Sequence, residues 1–329
     1  MATTIPIRYA HSMLYGLRRA DLDVALAVKR AGIPQPLLSS PHARMTREQG
    51  QSLFSEVVRT LDDESLGRAA LPRPVGSFAT MGLTLVAAQD LGDALRRMRR
   101  FLRMFPTGPY VRLVRADGHA GLEFDLRGTD DEDHFLAEVV MCSIHRFAEW
   151  LVGARIYLTS ASFTYPRPAY AALYHHAFGC ASSFGAAESV LWFDEKELAR
   201  PVIRDERSLY GLLSEPAVDL LTRRSVTLTA ADQVRRMIEQ RVGTDLPTPG
   251  ELADRLGISQ ATLRRRLQEL GTSTGRIREQ ILRDAAITRL ACDEPVSDIA
   301  ALLGFSEVSA FYRAFKRWTG TTTTDYRPA

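Results

Sequence analysis

The stretch Val296-Ser297-Asp298-Ile299-Ala300-Ala301-Leu302-Leu303-Gly304-Phe305-Ser306, continuing through Glu307 to Gly320, decides the fold of the C-terminal third of this chain. It reads as a short helix, a tight turn at Gly304 and a second helix. That is the helix-turn-helix pattern, in which two short helices meet steeply and the second enters a DNA major groove. The spacing has a steric cause. Ala300 lies four residues before Gly304, where the helices cross and a larger side chain would push them apart. Gly304 permits a left-handed backbone that most residues resist. Leu303, Phe305, Phe311 and Phe315 supply the apolar seam.

The same pattern occurs upstream in Glu251-Leu252-Ala253-Asp254-Arg255-Leu256-Gly257-Ile258-Ser259, again with a small residue four before a glycine. Gln260 to Leu270 follows as a second groove helix, with Leu263 and Leu267 facing inward. One Ala-x-x-x-Gly is common in packed helix pairs; two, each followed by an arginine-bearing amphipathic helix, point to DNA. Residues Arg278 to Leu290 read as the helix joining the motifs, with Ile281, Leu282, Ala285, Ala286 and Leu290 as its buried stripe.

The run from Ile299-Ala300 through Leu303-Gly304-Phe305-Ser306 to Trp318-Thr319-Gly320, closing at Tyr326-Arg327, resembles the signature of AraC-type transcription regulators. The resemblance covers residues from about 230 to 327. One departure is a threonine, Thr323, where the family usually carries proline, so a looser C-terminal tail is expected. The resemblance implies a ligand-responsive transcription regulator, an activator as in most of the family, with double-stranded DNA and RNA polymerase as partners.

A helix-turn-helix reads bases with exposed side chains in the first turns of its second helix. In the first motif these are Gln260, Ala261, Arg264 and Arg265, with Arg266 better placed for phosphate. In the second they are Ser309, Ala310, Tyr312 and Arg313, with Lys316 and Arg317 as phosphate contacts. Arg265 and Arg313 occupy equivalent places, two residues after the inward Leu263 and Phe311. Arginine matches the acceptor pair of guanine, so both are expected to read bases. A rigid connector would hold the two reading helices on one DNA face, giving each monomer a bipartite site with halves about 34 Å apart.

Residues 1–215 read as a separate sensor and dimerisation domain of α+β type, with a sheet and helices. Residues 216–229 are the expected linker, with Pro216 to Val226 as the connection, and 230–329 an all-α DNA-binding domain. Helical spacing occupies Ala20 to Ala31, Arg47 to Leu61 capped by Thr46, Leu91 to Met104, and Asp130 to Val152 opened by acidic residues. Tyr110 to Arg115 and Gly121 to Leu126 flank Ala116-Asp117-Gly118, a hairpin signal. Ser160 to Tyr165 and Ser189 to Phe193 read as further strands, and a helix is expected around Tyr170, Leu173 and Tyr174. Gly32-Ile33-Pro34, Leu91-Gly92-Asp93-Ala94-Leu95-Arg96, Tyr165-Pro166-Arg167-Pro168 and Leu191-Trp192-Phe193 resemble the ligand-binding domain of the AraC subgroup that includes ornithine-utilisation regulators and a fatty-acid-responsive virulence regulator. That resemblance implies a small-molecule effector and a homodimer. Tyr110, Arg112, His134, Arg146 and Trp150 combine polarity with apolar neighbours and are the candidate ligand-binding residues.

Composition is that of an ordinary globular protein: 45% apolar, 25% charged, net charge +3 over 329 residues. No global basic field drives DNA binding. From Ser259 to Arg289, however, seven arginines stand against three acids, an excess of four that fits a phosphate-facing footprint. The arginines Arg96, Arg97, Arg99, Arg100 and Arg103 read as a solvated helix face. Cys142, Cys180 and Cys292 are scattered and imply a reducing compartment without zinc or disulfides, so no metal and no cofactor are expected. They also leave a zinc-dependent DNA-repair methyltransferase or a cysteine amidotransferase without its chemistry. His175 and His176 are adjacent and point apart on a helix. The run Asp130-Asp131-Glu132-Asp133 is explained by the helix dipole. With neither a signal peptide nor an apolar membrane span, the chain is expected in the cytoplasm. The competing regulatory reading is a sensor domain that docks a protein; a cavity favours the metabolite and an exposed apolar patch the partner.

Overall fold

A computed structural model describes residues 4–171, 174, 177–214 and 230–328. In chain order the elements are β1 (Ile5–Pro6), α1 (Arg8–Met13), α2 (Tyr15–Arg19), α3 (Val24–Arg30), α4 (Gln35–Leu38), β2 (Arg44–Met45), α5 (Arg47–Leu61), α6 (Ser77–Val86) and α7 (Leu91–Leu102). The sheet region follows with β3 (Tyr110–Ala116), β4 (His119–Asp125), α8 (Phe135–Val152), β5 (Leu158–Phe163), β6 (Ser182–Phe184), β7 (Ser189–Asp194) and α9 (Glu206–Leu213). The C-terminal helices are α10 (Ala230–Glu239), α11 (Pro249–Arg255), α12 (Gln260–Glu269), α13 (Thr274–Ala291), α14 (Val296–Leu302) and α15 (Val308–Thr319). The expected linker, together with Leu173, His175 and His176, lies outside the described residues.

Two compact units make up the chain, and their boundaries cut across those expected from sequence. One unit comprises Met1–His11, Ala25–Leu53 and Val226–Ala329; the other comprises Ser12–Val24 and Phe54–Ser225. Two N-terminal segments therefore side with the C-terminal helices rather than with the sheet.

The sheet unit is built on five strands in the order β3-β4-β7-β5-β6, antiparallel except for the parallel β5–β6 pair. The β3–β4 turn places Asp117 at φ +48 and Gly118 at φ +75, the paired left-handed residues that a two-residue hairpin requires. Strand alternation gives the sheet one apolar face. Val111, Leu122, Phe124, Ala161, Phe163, Leu191 and Phe193 share a core with Met98 and Phe101 of α7 and Met141, Phe147 and Leu151 of α8. Helix α7 begins where the Asp90 carboxylate accepts the Asp93 amide at 2.7 Å, and it buries Leu91, Ala94, Leu95, Met98, Phe101 and Leu102 at helical spacing.

Two helices differ from those the sequence predicts. Ala20 to Ala31 is not one helix: Asp21 adopts φ +54 and separates α2 from α3. The helix expected from Asp130 starts at Phe135 instead. Asp131 and Asp133 turn back to the guanidinium of Arg68, and the Asp131 carboxylate caps α8 from outside by accepting the amides of Leu136 and Ala137 at 2.7 and 2.8 Å. Helix α5 spans Arg47–Leu61 as expected, with a reciprocal cap: Thr46 Oγ1 accepts the Gln49 amide at 3.1 Å and Gln49 Oε1 accepts the Thr46 amide at 2.8 Å.

In the second unit, α10, α11 and α12 enclose a core of Val234, Ile238, Leu252, Ala253, Leu263 and Leu267 against Ile277 and Ile281 of α13. The N-terminal ribbon β1–β2 joins this unit through polar contacts. Thr4 donates its hydroxyl to the buried carboxylate of Asp284 on α13 at 2.7 Å, and Arg44 donates to Thr4 Oγ1 and Thr4 O at 2.6 Å each. The Arg44 amide donates to the hydroxyl of Tyr326 at 3.0 Å, and Tyr326 in turn meets the ring of Phe315 edge-on at 5.2 Å.

The tail without its proline is held by another device. The Asp325 carboxylate accepts the Thr322 amide at 2.9 Å, the Thr322 hydroxyl at 2.7 Å and the Thr321 hydroxyl as well. Those bonds offset the looseness expected of threonine at 323. Thr323 itself sits at φ −63, the angle a proline ring fixes. Thr323→Pro is therefore expected to raise stability by about 0.4–1 kcal/mol, chiefly by restricting the unfolded chain, read as a higher midpoint in thermal unfolding.

Candidate nucleic-acid interface and binding cavity

The first motif is α11–turn–α12. Thr248 and Glu251 form a capping box at the start of α11. Gly257 turns the chain at φ +65, and Ile258 donates its amide to Ala253 O at 3.1 Å. Ser259 then caps α12 by accepting the Thr262 amide at 3.2 Å. The second motif repeats this with α14, Gly304 at φ +80, an amide bond from Phe305 to Ala300 O at 2.9 Å, and α15. Apart from the glycine itself and its two chain neighbours, no described atom lies within 4 Å of where a Cβ would sit on either glycine. Backbone conformation, not crowding, makes them glycines. Ala253 and Ala300 are both buried at the helix crossings.

Leu263 and Leu267 pin α12 to its core, as Phe311, Ala314 and Phe315 pin α15. The opposite faces are open. Gln260, Ala261, Arg264, Arg265 and Arg266 are exposed on α12, and Ser309, Tyr312, Arg313, Lys316 and Arg317 on α15; Ala310 is half-buried. Arg265 is held only loosely, its Nε 3.9 Å from Glu269 with both side chains mostly in solvent. Arg317 pairs with Glu279 at 3.1 Å, also at the surface. Two arginines of the expected basic footprint serve the fold instead: Arg283 bonds the buried Asp284, and Arg289 pairs with Glu294 at 2.7 Å. The connector α13 has 18 residues, about 27 Å of helix. Its cap is Ser273, and Ile277, Ile281, Leu282, Ala286, Ile287 and Leu290 are buried along its length. Arg327 closes the second motif by donating to Asp293 and to Glu294 O at 2.6 Å.

The sheet unit holds an open cavity of about 1270 Å³. It lies at one end of the sheet, between the start of β3, the end of β4, the segment from Leu126 to His134, the end of β5 and the turn before β7. Of the five candidate ligand residues, three line it. Tyr110 donates its hydroxyl to Phe105 O at 2.9 Å, Arg112 pairs with Glu123 at 2.6 Å, and His134 stacks on Tyr165 at 3.9 Å between ring centroids. The other two point elsewhere. Arg146 is buried and donates to Ala177 O at 2.9 Å, and Trp150 stacks on Phe147 with the Arg204 guanidinium 5.3 Å from its ring.

Sequence reasoning missed the charged floor of this cavity. Arg68 is only 1% exposed, pairs with Asp133 at 2.8 Å and with Asp131 at 3.4 Å, donates to Ser12 O at 2.8 Å, and lies 4.6 Å from the Tyr15 ring. Burial pushes the Asp131 carboxyl up to about 6, against the two amides and the guanidinium that favour its ionised form. Because the folded value lies above the ordinary 3.8, this group favours the fold at low pH, and that contribution is lost as pH rises through about 6. Asp131→Asn, which keeps an acceptor for the α8 amides, is therefore expected to gain stability relative to the wild type as pH is raised from about 4 to about 7, read from urea midpoints. Behind the cavity wall, Tyr174 donates to the buried Glu138 at 2.8 Å, and Tyr165 and Tyr174 share a hydrogen bond of 2.8 Å.

Neither buried cysteine carries an activated thiol. Burial pushes Cys142 up to about 12 and Cys180 up to about 11. Among the described residues, no three His, Cys, Asp or Glu side chains cluster as metal ligands, and no helix is long and apolar enough to cross a membrane.

Against this geometry, the family description "Arabinose-binding domain of AraC transcription regulator, N-term" matches residues 22–202, more than half of the chain. The chain belongs to the AraC family of transcription regulators. Two helix-turn-helix descriptions match residues 252–329 and 230–270, covering both motifs. The chain is 28% identical over 340 aligned positions to the ornithine utilization regulator of Pseudomonas aeruginosa, an alignment covering 100% of this chain and 97% of that protein. It is also 28% identical to the transcriptional regulator VirS of Mycobacterium tuberculosis, over 94% of this chain and 92% of that one. Among solved structures, the transcriptional regulator CdpR of Pseudomonas aeruginosa aligns over 96% of both chains at 19% identity, with a TM-score of 0.35. This AraC-family regulator is thus a DNA-binding protein with a ligand-binding N-terminal domain, and the α+β and all-α parts expected from sequence are both present.

Proposed function

We propose that this AraC-family regulator is a transcription activator that reads a bipartite DNA site with α12 and α15 and responds to a small molecule bound in the sheet-unit cavity. The observation that carries the reading is the pairing of two open, arginine-bearing helix faces through one 18-residue connector. Arg265 and Arg313 read bases, Arg264 and Gln260 support the first half, and Arg266, Lys316 and Arg317 hold phosphates and set register. The Glu307 side chain makes no cap bond at the start of α15, which leaves the first amides of that helix to a phosphate. Activation implies contact with RNA polymerase, and a relative of the reader region, 32% identical over 93 residues, is named a transcriptional activator. A homodimer would double the site. The open cavity favours a metabolite over a docked protein partner.

Replacing Arg265 with alanine is expected to relax preference at one base position of the first half-site, and Arg313→Ala at one position of the second, each losing about 1–3 kcal/mol of discrimination. Binding selections with randomised DNA read this directly. An equal loss on all sequences from either variant would refute base reading by that arginine.

A further inference from the structure

We infer that the cavity selects an anionic effector, a small carboxylate, sulfonate or phosphate bound between Arg99 and Arg103 at the C-terminal end of α7. The inference rests on the cavity being the effector site, as proposed above.

Charge pairing inside the cavity singles out these two residues. Arg19 faces Asp130 at 3.5 Å, Arg68 is satisfied by Asp131 and Asp133, Arg112 pairs with Glu123 at 2.6 Å and Arg127 with Asp125 at 2.6 Å. Glu188 adds its field to Arg112 and Arg127. Arg99 and Arg103 also line the cavity, and among the described residues neither has a carboxylate partner. Both are exposed to solvent, and they stand one helical turn apart, so their guanidinium groups share a face.

Helix stability does not account for the arrangement. A cation in the last turn is favoured by the helix dipole, but a second one turn away repels the first. Two other arginines of the same helix are relieved: Arg96 and Arg97 both lean on Asp93, at 3.6 and 2.9 Å. Of the arginines of α7 without a carboxylate partner among the described residues, Arg99 and Arg103 line the cavity and Arg100 does not, and an arginine fork matches an oxyanion in two directions at once. Phe105 and Tyr110 also line the cavity and are aromatic, so an effector with a flat apolar body and one anionic head fits both surfaces. Glu132 and Glu188 are lining carboxylates that also form no ion pair among the described residues, so the preference for an anion is local to the Arg99–Arg103 pair and is not a net charge of the whole cavity.

The test uses the full-length protein and two fluorescent probes that differ in one group: 8-anilinonaphthalene-1-sulfonate, and N-phenyl-1-naphthylamine, which lacks the sulfonate. The sulfonate is expected to bind at least tenfold more tightly than the neutral probe. The double variant Arg99→Gln/Arg103→Gln should lose that tenfold for the sulfonate and leave the neutral probe unchanged. Both arginines are exposed, so the variant keeps its fold, which its thermal midpoint verifies. Ala187→Trp, which fills the cavity from an exposed lining position, should weaken both probes. If the sulfonate is lost only with Ala187→Trp, the cavity binds ligands and the arginine assignment is overturned. If neither change matters, or the sulfonate does not bind, the anion proposal falls; indifference to Ala187→Trp takes the cavity reading with it.

Discussion

Arg68→Met is expected to destabilise the sheet unit by about 3–5 kcal/mol, because removing one partner of a buried ion pair leaves the other charges uncompensated. Arg68 is 1% exposed and holds Asp131, Asp133, Ser12 O and Asp130 O from one guanidinium. Without it, the turn from Asp130 to His134 loses the donor that folds it back, and the start of α8 loses its orientation. The cavity floor would be disordered together with the fold. Urea unfolding of the full-length protein measures the cost; a loss below about 1 kcal/mol would mean that water or the neighbouring Arg19 replaces Arg68. Arg68→Lys serves as the companion variant. It restores charge but not the fork that reaches two carboxylates and two carbonyls together, so only partial recovery is expected.

Phe311→Ala carries the second large effect, about 3–5 kcal/mol from a fully buried aromatic ring and the cavity it would leave. Phe311 sits 5.5 Å from Phe305 and 5.7 Å from Phe315, ring centre to ring centre, and so joins the turn after Gly304 to the body of α15. Its loss frees the second reading helix from the turn that aims it. DNA affinity should fall sharply while the first motif, whose core is Leu252, Ala253, Leu263 and Leu267, keeps its own packing. Thermal unfolding together with binding to single half-sites separates these outcomes. Equal loss at both half-sites would show that the two motifs unfold as one.

The reader region was legible because its chemistry is local in sequence. Ala300 and Gly304, like Ala253 and Gly257, are four residues apart, and the apolar residues that follow them share one helical face. The ribbon that completes the same unit was not legible. Thr4, Arg44 and Asp284 come together across hundreds of residues, and neither Ile5–Pro6 nor Arg44–Met45 is long enough to show a strand period. In the sheet unit, the hairpin at Asp117–Gly118 and the helices α5 and α7 announced themselves through turn and cap residues. The start of α8 did not, because Asp131 caps it from outside the helix while its charge is drawn to Arg68, a distant residue. The cavity was half-legible for the same reason. Tyr110, Arg112 and His134 are polar residues beside apolar sequence, but Arg99 and Arg103 look like any solvated helix face until the other arginines lining the cavity are seen to be paired.

Incubating the full-length protein with sheared genomic DNA and sequencing what it retains tests the double reading head. Discrete sites are predicted, each with two half-motifs one helical turn apart, and Arg265→Ala should blur one half while Arg313→Ala blurs the other. Diffuse retention, or discrete sites with a single half-motif unaffected by one of these variants, would contradict a double reading head.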